Sequence, residues 1–118
     1  IATAAGLSTL RILKEDTSIY ERLEKKTAKI ADAVRQAAGN KVCVNQIGSL
    51  MSIFFTGEEV VDFDSAMTAD VKAYAAYFGH MLDHGIYVAP SQFEAMFVSD
   101  AHTEEDITKT IAVMQQWF

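Results

Sequence analysis

One cysteine, one proline and one tryptophan are all that this chain of 118 residues carries of those three types. Cys43 has no second thiol to pair with, so an internal disulfide is excluded. A reducing, cytoplasmic setting is the simpler expectation, with Cys43 a buried strand residue rather than a nucleophile. Positive charge is also scarce: ten Lys and Arg face sixteen Asp and Glu, a formal net charge of −6. No basic cluster offers a footprint for nucleic acid, and Glu24-Lys25-Lys26 reads as a solvated helix face. No stretch approaches the ~18 consecutive apolar residues that a spanning helix needs. The apolar start lacks a basic flank, so no secretory signal is expected. A Gly-x-Ser-x-Gly elbow, a glycine-rich phosphate loop and a Cys/His pairing are all missing.

What is present is apolar. Half of the residues are hydrophobic, enough for one small domain over 1–118 and rich enough to suit a piece that packs against something else. Residues 2–14 read as a helix, with Leu7, Leu10 and Leu13 or Lys14 at helical spacing. Ser18 with Glu21 has the pattern of a capping box, opening a second helix. Its stripe is Tyr20, Leu23, Thr27, Ile30 and Val34, and Gly39-Asn40 ends it. The period then changes: Val42-Cys43-Val44-Asn45 and the run 50–55 are β-rich and flank Gly48, as an antiparallel pair would. A third helix is expected over 65–84, with Val71, Tyr74, Ala75, Phe78, Met81 and Leu82 on one face and Gly85 as its stop. Residues 86–88 read as a short strand, 89–91 as a turn or extended crossing, and 97–99 as the last strand. Thr103 with Asp106 is another capping box, and Ile107, Ile111, Met114 and Phe118 give the final helix its stripe. The sum is an α+β fold, a small antiparallel sheet with helices packed on one face.

Few side chains suggest chemistry. His80 and His84 lie one helical turn apart with Asp83 between them, a metal-ligand spacing, yet no third ligand is placed, and histidines near a helix C-terminus also suit its dipole. No metal site is expected. His102, just before the last helix, suits capping or packing. Ser91 and Gln92 either face a ligand or satisfy the backbone of their turn. Glu94 is the most informative of these residues. It stands between Phe93 and the apolar run Ala95-Met96-Phe97-Val98, where a buried charge needs a partner; otherwise it is a solvated turn residue.

Resemblance decides between those readings. The segment Tyr87-Val88-Ala89-Pro90-Ser91-Gln92-Phe93-Glu94-Ala95, followed by Ser99-Asp100-Ala101-His102-Thr103 and an acidic helix start, is similar to the C-terminal signature of the glutamate-1-semialdehyde 2,1-aminomutase family. That family is a branch of the class III pyridoxal-phosphate aminotransferases. Ala4-Ala5-Gly6-Leu7-Ser8-Thr9-Leu10, Tyr20-Glu21-Arg22-Leu23, Asn45-Gln46-Ile47-Gly48-Ser49, Phe54-Phe55-Thr56, Tyr77-Phe78 and Met81-Leu82 resemble the runs leading to that signature. Two departures stand out. Met96 occupies a position where the family usually has glycine, so the backbone there needs no positive φ. Leu50-Met51 departs from the usual Gly-Ser-Met-Phe pattern.

The resemblance implies the small C-terminal domain of a fold-type I enzyme. The large domain, which carries the cofactor lysine and the acid that pairs with the pyridine nitrogen, has no counterpart here, and a chain opening at Ile1 reads as a fragment, inactive alone. Pyridoxal 5'-phosphate and pyridoxamine 5'-phosphate are implied for the full-length enzyme, with no cofactor-binding residue in these 118. Implied partners are the missing large domain, a second subunit in a homodimer and a small-molecule substrate, with no nucleic acid and no membrane. The compartment is the cytoplasm, or a plastid in a plant or alga. The activity implied is the conversion of glutamate-1-semialdehyde to 5-aminolevulinate for tetrapyrrole synthesis. By that resemblance Glu94 is the active-site carboxylate, with Ser91 and Gln92 beside the substrate. The alternatives are a class III ω-aminotransferase and a non-catalytic interaction domain.

Overall fold

A computed structural model describes all residues, 1–118. Helix α1 spans Ala2–Glu15 and helix α2 Ser18–Ala38. A single 3₁₀ turn, Gly39–Lys41, leads to strands β1 (Cys43–Ile47) and β2 (Leu50–Phe54). The short helix α3 (Phe63–Ala66) precedes α4 (Val71–Asp83), strand β3 (Met96–Phe97) and α5 (Glu104–Trp117).

The strands form one antiparallel sheet in the order β1-β2-β3. Pairing of Ile47 with Leu50 leaves Gly48 and Ser49 as the two-residue turn. Gly48 takes φ +52° there, the left-handed geometry that tight hairpin turns demand and glycine supplies without strain. Val44, Met51 and Ile53 point to the helical side and are buried with Ile30, Val34, Tyr77, Met81, Ile107 and Met114. Helices α2 and α5 pack against each other and α2 lies on β1 and β2, so the helices share one face of the sheet, as the α+β reading expects. The other face is bare except where Val60, in the loop after β2, bonds to Cys43 and Asn45. Ile47, Leu50 and Phe97 lie in register across it, and Ile47 and Phe97 are 78% and 67% exposed. Helix α1 buries none of its residues and presents Leu7, Leu10 and Ile12 to solvent.

Several local expectations need correction. Ser18 is the first residue of α2 rather than its cap: its amide and hydroxyl both donate to Asp16 Oδ1, and Glu21 pairs with Lys25 at 2.6 Å instead of closing a box. Tyr20 lies exposed, so the α2 stripe begins at Thr27. The helix expected over 65–84 is two. Asp62 and Ser65 cap α3 reciprocally, and the Asp70 carboxylate accepts from the amides of Lys72 and Ala73 to start α4 afresh. These aspartates are strong N-cap residues that hydrophobic periodicity does not register. The buried line of α4 is Tyr74, Tyr77 and Met81, while Val71 and Leu82 are exposed. Residues 86–88 join no strand ladder, and the last strand is Met96–Phe97 rather than 97–99. Cys43 is on β1 as expected yet only half-buried. Its Sγ accepts the Val60 amide at 3.5 Å. The Thr103–Asp106 box forms as expected, and Gly85 ends α4 at φ +77°.

Candidate functional site

The segment from Gly85 to β3 crosses the end of the sheet, and a short set of bonds shapes it. Glu94 N donates to Ser91 O at 3.1 Å, closing a turn over Ser91–Glu94. Ser91 Oγ accepts from Phe93 N at 3.2 Å. Gln92 turns inward, is only 2% exposed, and its Oε1 accepts the Phe55 amide at 3.0 Å. Ser91 thus satisfies the backbone of its own turn, whereas Gln92 satisfies that of Phe55, outside the turn. The Gln92 amide nitrogen and the Tyr77 hydroxyl are buried without a partner in the chain.

With Gln92 directed inward, Phe93 and Glu94 project outward and are exposed. Glu94 makes no ion pair. A free carboxylate on an anchored turn is available for a ligand in a way that a paired one is not. Its charge is felt nearby: burial first, and then the Glu94 carboxylate, push the Tyr74 hydroxyl up to about 12. Tyr74 therefore stays protonated near neutrality and donates to Ala89 O at 2.7 Å. Burial raises the Tyr77 hydroxyl well above its usual value.

Glu94 sits at a cleft of about 470 Å³ between the 86–90 crossing, β3 and α5. The walls are mainly apolar, and Tyr87 and His102 join Glu94 as the polar side chains with titratable groups. No lysine or arginine lines it. That donor set offers neither an amine for a Schiff base nor a cationic cradle for a phosphate, so pyridoxal phosphate does not fit this chain alone. A bidentate guanidinium grip on a substrate carboxylate is equally unavailable from these walls.

His102 was expected to cap or pack. Its Nδ1 lies 3.0 Å from the Ser99 amide, bracing the loop before α5, and the residue lines the same cleft as Glu94. His80 Nε2 lies 3.0 Å from Val113 O, and His84 Nδ1 lies 2.8 Å from His80 O. Both rings are thus used locally, and nowhere in the chain do three metal-type ligands converge. The roles of Tyr74 and Phe55 escaped the sequence reading, where both count as apolar. The available signal was Tyr74 itself, since a buried tyrosine hydroxyl needs an acceptor.

No protein-family model matches the sequence. Individual relatives do. The chain is 49% identical over 121 residues to glutamate-1-semialdehyde 2,1-aminomutase of Pelotomaculum thermopropionicum, an alignment covering 100% of this chain and 28% of that protein. It is 46% identical over 116 residues to the protein of the same name from Alkaliphilus oremlandii, covering 98% of this chain and 27% of the relative. A third, from Acetivibrio thermocellus, is 43% identical over 118 residues, again covering 100% and 27%. The chain matches the C-terminal part of these aminomutases and spans 27–28% of their length. Among solved structures, a beta-phenylalanine aminotransferase from Variovorax paradoxus superposes with a TM-score of 0.70 at 25% identity, over 85% of this chain and 23% of that one. A transaminase with PLP bound gives 0.72 at 23% identity, over 95% and 25%, and shows the same fold.

Proposed function

We propose that residues 1–118 are the small C-terminal domain of a glutamate-1-semialdehyde 2,1-aminomutase. The complete enzyme would move an amino group within one substrate, giving 5-aminolevulinate for tetrapyrrole synthesis. The observation that carries this reading is Glu94: an unpaired carboxylate on an anchored turn, in a chain that is 49% identical over its whole length to an aminomutase. Pyridoxal phosphate and its lysine would belong to the remainder of the enzyme, because the cleft walls here offer neither amine nor phosphate cradle. A homodimer of complete subunits completes the reading. The single, half-buried cysteine suits a reducing compartment, the cytoplasm or a plastid. No helix is long and apolar enough to cross a membrane.

Glu94 gives the domain a specific task. A carboxylate facing the reacting end of the substrate attracts ammonium groups and repels a carboxylate placed at that end. The intended substrate carries its carboxylate at the far end and bears an amine and an aldehyde where the chemistry occurs. Ordinary amino acids would bring an α-carboxylate toward Glu94 and be disfavoured, which is selection by repulsion. Because Glu94 has no cation beside it in this chain, its charge is not neutralised locally and the repulsion stands. Ser91 and Gln92 support the turn from which Glu94 acts.

The test is an assay of the complete protein with glutamate-1-semialdehyde and no second amino donor or acceptor. Formation of 5-aminolevulinate is the expected result. Turnover only after an external amino acceptor is added would overturn the reading in favour of a transaminase working between two substrates.

A further inference from the structure

The turn that carries Glu94 is held by a closed circuit of hydrogen bonds that no local sequence pattern announces. It starts at Phe55, just past the end of β2. The Phe55 carbonyl accepts the amide of Asp70 at 2.9 Å, and Asp70 is the cap that starts α4. One turn into that helix, Tyr74 N donates to Asp70 O at 3.1 Å. The Tyr74 hydroxyl crosses to Ala89 O at 2.7 Å, on the near side of Pro90. Three residues later Gln92 returns its Oε1 to the Phe55 amide at 3.0 Å, where the circuit closes.

The two side-chain links sit on either side of the bend. Tyr74 is 3% and Gln92 2% exposed, so water has little access to either bond, and breaking one leaves a backbone group of half-buried Ala89 or Phe55 without its partner. Pro90 between them removes one further backbone freedom. Ring contacts reinforce the same point: Phe55 meets Tyr74 edge-on, with centroids 5.7 Å apart. Ser91 and Gln92 fold inward, and Glu94, only two residues beyond Gln92, is left projecting into solvent with its main chain fixed by the Ser91 carbonyl.

We infer that Tyr74 and Gln92 are positioning residues that together set the location of the Glu94 carboxylate at the cleft. Neither touches substrate; each acts through the backbone of the turn. The inference rests on the assignment of Glu94 to the reacting end of the substrate. A carboxylate that must repel one group and attract another does so only from a fixed place, and displacement of a catalytic group by about 1 Å costs up to ~10² in rate.

The test uses the complete holoenzyme and a double-mutant comparison. Gln92→Leu keeps the bulk and removes the acceptor for Phe55 N–H. Tyr74→Phe keeps the ring and removes only the hydroxyl, so it remains informative if Gln92→Leu fails to fold. Each is expected to lower kcat about tenfold, with a smaller change in KM. In a Glu94→Gln background each is expected to lower kcat little further, because the group they place is already gone. Amide exchange at Phe55 should accelerate in Gln92→Leu. Equal losses of kcat with and without the Glu94 carboxylate would overturn the positioning role while leaving Glu94 itself in place. A Glu94→Gln enzyme as active as the parent would instead sink the assignment of Glu94, and the positioning role would fall with it.

Discussion

Arg22 and Asp100, seventy-eight residues apart, form a two-point ion pair, with Nε to Oδ1 at 3.3 Å and Nη2 to Oδ2 at 2.9 Å. The same guanidinium reaches back to Asp16 at 2.9 Å, at the junction between α1 and α2. Lys26, one turn further along α2, donates to the carbonyls of Asp100 and His102 at 3.1 and 2.8 Å. The loop between β3 and α5 is therefore tied to α2, and that loop presents His102 to the cleft. The Arg22 pairs are solvated and weak alone, while Lys26 is the more enclosed of the two cations. Their common effect is to fix where α5 begins, a task shared with the Thr103–Asp106 cap.

These carboxylates give the fold an acid limit. The Arg22 hydrogen bond, with Lys26 assisting, holds Asp100 below its ordinary 3.8. Arg22 and Ser18 do the same for Asp16, and Lys29 lowers Glu104 from 4.5. A carboxylate with a depressed folded pKa binds fewer protons than its unfolded counterpart in this range, so stability rises with pH there. The stabilisation is complete above the ordinary values and is lost as pH falls through the lowered ones. The melting temperature should thus be nearly flat around neutrality and drop once pH passes below 4.5. Asp100→Asn should melt earlier at pH 7 and lose less on acidification. Thermal scans across pH read both, and an unchanged acid slope in the variant would show that the Arg22 pair carries no stability.

The elements with strong local signals were legible in the residues: α1, α2, the Gly48 hairpin, the Gly85 stop and the cap of α5. The break between α3 and α4 was not, because apolar spacing from Phe63 to Met81 runs across it, while the aspartates that restart the helix are polar. The third strand was misplaced because it is two residues long and exists only by pairing with Leu50 and Met51, a tertiary fact. Glu94 was singled out through resemblance. Periodicity and composition left it a turn residue, and its support from Tyr74 and Phe55 lies in contacts between segments far apart in sequence.

The chain by itself should not bind pyridoxal phosphate specifically. The residues around Glu94 include no lysine or arginine, and Lys109, whose Nζ lies 3.9 Å from the Cβ position of Gly85, is not among the cleft residues. Titration of the purified chain with the cofactor, followed by absorbance, should give at most a slow, non-saturating signal from surface lysines. A saturable band removed by glutamate-1-semialdehyde would overturn this expectation.

Alone in solution the chain should also self-associate. Helix α1 buries nothing, and Ile47, Leu50 and Phe97 make an apolar row on the sheet face away from the helices. Apolar patches of this kind seek cover, which the remainder of a complete enzyme would provide. Sedimentation over a concentration series should show rising average mass, and Leu10→Glu combined with Phe97→Lys should reduce it. A strict monomer at every concentration would mean that these surfaces are tolerably solvated.

The sharpest expectation concerns Glu94 in the complete enzyme. Glu94→Gln keeps the size of the side chain and removes its charge. Because the residue is exposed and makes no ion pair, the fold should be nearly unaffected. Activity with glutamate-1-semialdehyde should fall about 10²-fold, the scale of removing a positioned group that handles protons or ammonium. Competition by glutamate, which carries an α-carboxylate, should strengthen at the same time, since the repelling charge is gone. The two effects separate a charge that selects from one that merely stabilises the turn: a structural residue would lower activity without changing what competes. Steady-state kinetics with and without added glutamate measure both. If neither activity nor competition moves, Glu94 is a solvated turn residue, and the selectivity must come from the rest of the enzyme.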